Sequence, residues 1–259
     1  MTTICAGIAA VSAALLMTEL ALTRIFSVTM YYHFAFLAIS IALFGLSASG
    51  VFVYVMRGRL ASAGTRELLA GGAIVHALAT VIALAFLVRI RVGLNYSASN
   101  LALMLAIYAL AALPFFTGGA VISLAFTRLT DRINVVYASD LLGAAAGCLA
   151  LIPLLNELGA PGVVLTAAAL SLGAAICFAP AARRRHAAAA GLAIFTISAG
   201  AQATGAAPFD VVAMKGHEGD RVLFSKWNSF SRIGVYDREH GEWSLSPNRA
   251  IEIARNAKW

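Results

Sequence analysis

The sequence predicts an all-α polytopic bundle of about seven membrane-spanning helices, followed by a short β-hairpin-like tail. Three observations predict it. Hydrophobic residues make up 61% of the 259 positions and charged residues only 12%, against a charged share of about 25% in an ordinary soluble domain. The apolar residues fall in runs long enough to cross a bilayer, which takes about 20 residues of helix because lipid offers no partner for a bare backbone N–H or C=O. Finally, 15 charged side chains lie in residues 208–259. The composition therefore changes near Pro208, dividing a bundle over 1–207 from a polar tail over 208–259.

In chain order, the apolar runs cover 4–26, 32–56, 68–88, 101–126, 135–155, 162–178 and 187–206. The first lacks a basic n-region and is longer than a signal-peptide core, so it is expected to be retained. Pro114 interrupts the fourth and is expected to kink or split it. The last is the weakest, since Ala and Gly dominate it and Gln202 and Thr204 lie within it. Small residues four apart occur at Gly45 with Ser49, Gly143 with Gly147, and Ala146 with Ala150. Such spacing lets helix backbones approach closely in lipid. Packing inside the bundle is expected ahead of a homo-oligomer.

The net charge of +7 would point to nucleic acid in a soluble chain. Here the basic residues sit between apolar runs, as Arg57, Arg59 and Arg66, as Arg89 and Arg91, as Arg128 and Arg132, and as Arg183 to Arg185. That pattern fits loops facing lipid headgroups and excludes a nucleic-acid partner; the bilayer is the partner. The connections on the N-terminal side hold eight Lys or Arg and those opposite hold three. The positive-inside rule then puts the N-terminus of this cell-membrane protein in the cytoplasm; seven spans put the tail outside, and six or eight return it to the cytoplasm.

Ionisable residues at membrane depth are costly and each needs a reason. Glu19, with Arg24 five residues on, is a proton or cation site or, by preference, an ion pair or a snorkelling pair. Asp140, near the start of the fifth run, binds a cation or orients a helix. His33 beside Tyr31 and Tyr32 fits an interfacial aromatic belt, and the deeper His76 fits a hydrogen-bonded packing residue. Cys5, Cys148 and Cys177 are unspaced and embedded in apolar runs, so neither a disulfide framework nor a metal site is expected. No Walker loop, GxGxxG or supported catalytic triad is present. No catalytic residue and no cofactor site is expected in this chain.

In the tail, VLFSKWNSFSRIGVYD alternates β-branched and aromatic residues with polar ones, predicting strands at 222–224 and 233–236 and a turn at 238–242 around Gly241. Two strands alone make a marginal structure.

Three blocks, MTELALTRIFSV with YYHFAFLAISIALFGLSASGVF, then VYASDLLGAAAGCLALIPLL, then KWNSFSRIGVYD, together resemble bacterial membrane proteins that fuse a multi-span region to a spermidine synthase-like domain. The resemblance implies that the tail, through Trp227, Phe230, Ser231 and Arg232, is the entry hairpin of an α/β transferase domain. Soluble spermidine synthases are similar in an entry strand Ser-Pro-Tyr-Gln-Arg-Ile; Phe230 matches its tyrosine and Ser231 takes its glutamine position, while Arg232 and Ile233 match. The domain's site for S-adenosylmethionine or its decarboxylated form is then expected beyond Trp259, leaving this chain inactive by itself. That cofactor is made in the cytoplasm, so the resemblance puts the tail there, against the charge count. Two other functions compete: a small-molecule or polyamine transporter using Glu19, His76 and Asp140, with Pro114 and Gly118-Gly119 as a broken helix, and a purely structural membrane scaffold.

Overall fold

The computed structural model describes residues 1–29, 33–89, 98–183, 186, 188, 189, 191, 193, 194, 196, 197, 209, 211 and 221–237. Five helices dominate it: α1 (Thr2–Thr29), α2 (His33–Leu60), α3 (Thr65–Leu87), α4 (Ala98–Arg128) and α5 (Ile133–Phe178). Each is long and apolar enough to cross a membrane.

Seven separate spans are therefore not what the described residues form. The fifth and sixth apolar runs belong to one 46-residue helix, α5, broken only at Gly159, whose φ of 69° and ψ of 172° leave the helical region. Of the seventh run only scattered positions are described, and these are helical, with Gly191 and Ile194 against Leu172. The α5 break follows from Gly159-Ala160-Pro161. Glycine tolerates the positive φ that breaks the helix here, and proline opens the next because it needs no N–H partner in a first turn.

Beyond that break α5 doubles back. A Cβ on Gly143 would overlap the Ala9 backbone, and one on Gly147 would come within 2.7 Å of the Ala13 carbonyl. The first arm, 133–158, thus runs parallel to α1. Yet Phe178, 35 residues after Gly143, packs its ring on Gly7. A straight helix would separate residues 143 and 178 by about 50 Å, so the second arm, 160–178, returns along α1.

The other pairs fit together in the same way. On α2 and α4, Gly45 meets Ala112 and Phe115 while Ser49 meets Gly119, so these helices are parallel. On α3 and α4, Gly72 meets Val121 while His76 meets Gly118, so these are antiparallel. The α4 helix passes through Pro114 without a break, contrary to a split. Its Thr117 hydroxyl stands 2.9 Å and 3.1 Å from the Leu113 and Pro114 carbonyls.

One end of the bundle gathers the start of α1, the end of α2, the start of α3 and the end of α4. Arg66 donates to the Thr3 hydroxyl at 3.1 Å, and Arg128 donates to the Leu60 carbonyl at 2.5 Å. With Arg57, Arg59 and Arg132 close in sequence to these positions, this end is rich in arginine. The core between the ends is built from Ile8, Met17, Phe26, Leu69, Leu84, Phe115, Leu155 and Phe178, all fully or nearly fully buried.

After the helices, β1 (Arg221–Trp227) pairs antiparallel with β2 (Arg232–Asp237), with Trp227 opposite Arg232 and a bulge between Val222 and Phe224. The connecting turn is Asn228–Ser231. The Asn228 carboxamide oxygen accepts from the Phe230 and Ser231 amides at 2.8 Å and 2.6 Å, a side-chain substitute for backbone turn bonds. The turn expected at 238–242 lies outside the described residues.

Candidate functional site

Two regions hold the polar chemistry: the mid-section of the bundle and the seat of the hairpin.

In the mid-section, Asp140 comes from the second turn of α5 and faces α1, where the Ser12 hydroxyl hydrogen-bonds its Oδ1. Ser12 is buried and also lies 3.0 Å from the Ile8 carbonyl. His76, at the midpoint of α3, is wholly buried. Its Nδ1 is 3.4 Å from Thr117 Oγ1, and its Nε2 has no hydrogen-bond partner. The ring has room because Gly118 lacks a side chain: a Cβ there would lie 2.9 Å from His76 Cε1 and 2.7 Å from Leu15 Cδ2.

Glu19 is half-buried on α1, with Thr23 Oγ1 donating to its backbone carbonyl at 2.8 Å. It forms no ion pair with Arg24 among the described residues. Five residues turn a helix by about 140°, which points the two side chains to different sides. Arg24 instead donates to the Phe230 carbonyl at 3.4 Å.

The structure thus brings His76 beside Leu15 and Asp140 onto Ser12. Ser12, Thr117 and Leu15 were not singled out from the sequence, because a hydroxyl in an apolar run usually bonds its own backbone and gives no sign of a second partner. Gly143 and Gly147 lie on α1, one turn apart. The His33 side chain, Tyr31, Tyr32, Arg91, Arg184 and Arg185 lie outside what is described.

At the opposite end from the arginines, the hairpin rests on the α5 break. Trp227 lies over Gly159, with its Cδ1 2.6 Å from where a Cβ would stand. The Ser229 amide donates to the Asn156 carboxamide at 2.9 Å. Arg232 is buried, stacks over Trp227 at 5.8 Å, and donates to the Val211 carbonyl at 3.4 Å. Phe230, by contrast, is 80% exposed at the tip, and Ser231 is exposed beside it. Gly159 and Asn156 complete the seat. The Gly-Ala-Pro triplet was the available sign of the first, and nothing in the sequence marked the second.

Among the described residues no three His, Cys, Asp or Glu side chains group to hold a metal ion, and Cys5, Cys148 and Cys177 are free thiols. The chain matches no protein-family model, no curated protein and no solved structure among those compared with it.

Proposed function

We infer that the chain is a non-catalytic membrane region, of the kind found in spermidine synthase-like fusions, that works as a platform seating its tail hairpin at one end of the bundle. The observation that carries this is the seat itself: Trp227 on Gly159, Ser229 on Asn156 and Phe230 on Arg24 tie the hairpin to α5 and α1. An isolated two-stranded hairpin is marginal in water, so the helices supply the support it needs. The resemblance of KWNSFSRIGVYD to an entry hairpin supplies the family part of the reading, and S-adenosylmethionine or its decarboxylated form belongs only to a domain carried on that hairpin.

Two features bear on orientation. The arginine-rich end fits the cytoplasmic face by the positive-inside rule, and the hairpin rests at the other end. The platform reading therefore takes the N-terminus as cytoplasmic and the hairpin as external, against the cytoplasmic tail that the resemblance implies.

The test places cysteines at Asn156 and Ser229 on a background lacking Cys5, Cys148 and Cys177. Mild oxidation in membranes is expected to join 156 to 229 within one chain. Absence of that cross-link, with each single cysteine still reactive, rejects the platform reading. A cysteine at the exposed Leu223 then reports the side, and protection from an impermeant maleimide in intact cells, with labelling after lysis, reverses the orientation.

A further inference from the structure

Two contacts fix how far the hairpin tip reaches down the bundle. Arg24, which donates to the Phe230 carbonyl, lies five residues before the end of α1, about 7.5 Å short of it. Asn156, which accepts from the Ser229 amide, gives a second level. The pairing of Gly143 with Ala9 and of Gly147 with Ala13, carried on along both helices, sets Asn156 beside Leu22, about 10 Å short of the same end. A helix of 28 residues is about 42 Å long, whereas the hydrocarbon core of a bilayer is about 30 Å thick. With α1 centred in that core, about 6 Å of helix stands clear of it at each end. The tip therefore comes down to the boundary between headgroups and hydrocarbon.

It does so on the outer flank of the bundle. Asn156 is exposed, and Ile152 and Leu149, four and seven residues before it, share its side of α5 and are exposed as well, Leu149 to 75%. That side is turned away from Gly143 and Gly147, and so from α1. In a membrane it meets lipid. Phe230, at 80%, is more exposed than any other large apolar side chain among the described residues.

The backbone of the tip suits the same surroundings. The Asn228 amide donates to the Ser231 carbonyl at 2.9 Å, the Ser229 amide to Asn156, and the Phe230 and Ser231 amides to the Asn228 carboxamide oxygen. All four amides of the turn thus have protein partners, and Arg24 serves the Phe230 carbonyl. In water an open amide is completed by solvent; at the edge of hydrocarbon it is costly. A turn with its amides closed and a bare aromatic ring on its crest is fit for that edge.

We propose that Phe230 is a lipid anchor, its ring lying among the first carbons of the acyl chains beside α5 and holding the hairpin tip against the bundle. Its partner is the bilayer itself, engaged through apolar contact at the headgroup–acyl boundary, where large apolar side chains such as Phe and Leu are buried by surface-bound segments. The depth of the ring rests on the hairpin seat described above. All the ties to the helices fall between Trp227 and Arg232, so the anchor acts at the end of the hairpin that is already held.

The test replaces Phe230 with Cys on the background lacking Cys5, Cys148 and Cys177, attaches the environment-sensitive fluorophore NBD, and reconstitutes the full chain in phosphatidylcholine liposomes. Phe230 is exposed, so the label displaces no core contact. Emission is expected to shift to the blue of the free dye in buffer, to resist iodide present on both sides, and to be quenched by lipids carrying a nitroxide near the headgroup end of the chain. Iodide quenching as full as that of the free dye overturns the proposal, since the tip then stands in water. Shielding from both quenchers also overturns it, since protein then covers the ring. Without any label, Phe230→Ser is expected to speed proteolysis of the tail in liposomes while Phe230→Leu keeps the parent rate; a parent rate in both variants counts against the anchor. The 156–229 cross-link separates the two readings: a cross-linked chain with an iodide-quenched label rejects the anchor alone, and a lipid-quenched label without the cross-link rejects the seat alone.

Discussion

At the scale of single residues, Gly159 and Asp140 show how much rests on one side chain, or on its absence. Gly159 is the only described residue with positive φ. An L side chain there costs about 1–3 kcal/mol in backbone conformation alone, and its Cβ would also strike Trp227. Gly159→Ala is therefore expected to lower the melting temperature in detergent and to lose the 156–229 cross-link; a variant that melts and cross-links like the parent contradicts this account of the corner. Asp140 is different in kind. Ser12→Ala leaves its carboxylate without the hydroxyl it faces, a loss of about 1–3 kcal/mol, whereas Asp140→Asn can still bond Ser12. Thermal melts should rank Ser12→Ala below Asp140→Asn, and the reverse order would mean that the pair does not stabilise the bundle. The sequence marked Asp140 and His76 because charge is conspicuous in an apolar run. It could not mark Ser12 or Thr117, whose hydroxyls matter only through what another helix brings to them.

The helices themselves were legible, their connectivity less so. Length and hydropathy located the cores of α1 to α4 within a few residues, because lipid penalises any other backbone arrangement. The same rule could not say whether residues 135–178 make separate helices, since a Gly-Ala-Pro corner is too short to alter composition. It could not say how Pro114 would act either, and α4 runs on through it. Small residues were better guides. Gly143 and Gly147 receive the backbone of α1 at Ala9 and Ala13, and backbone cannot step aside as a flexible side chain can. Replacing both by Leu is expected to lower the melting temperature in detergent more than the same change at Gly58 and Gly173, where a Cβ meets nothing within 4 Å. Equal melting of the two double variants would mean that α1 and α5 do not depend on close approach.

For the whole molecule, the bundle has one arginine-rich end and one end that carries the hairpin. Charge counting in the sequence anticipated the first, because loop arginines need no tertiary structure to be counted. The second depended on Asn156, Gly159 and Arg24 meeting a segment some 70 to 206 residues away, which no local pattern encodes. Limited proteolysis of reconstituted protein is expected to cut first within 208–259, and Trp227→Ala to speed that cut by removing the side chain that lies on Gly159. A tail as resistant as the helices in both proteins would mean that it is held by contacts other than these.

The doubled-back α5 has a consequence for how the chain is made. A three-residue corner leaves no loop to be threaded across the bilayer by itself, so the two arms must enter lipid as one unit. Both arms lie along α1, which the ribosome completes more than a hundred residues earlier. The first helix to be synthesised thus waits through three later helices as the template for α5, with Gly7, Ala9 and Ala13 uncovered until α5 arrives. A nascent chain stalled before residue 160 should leave Gly7 open to photocrosslinking with lipid or insertion factors, and release of the second arm should close it.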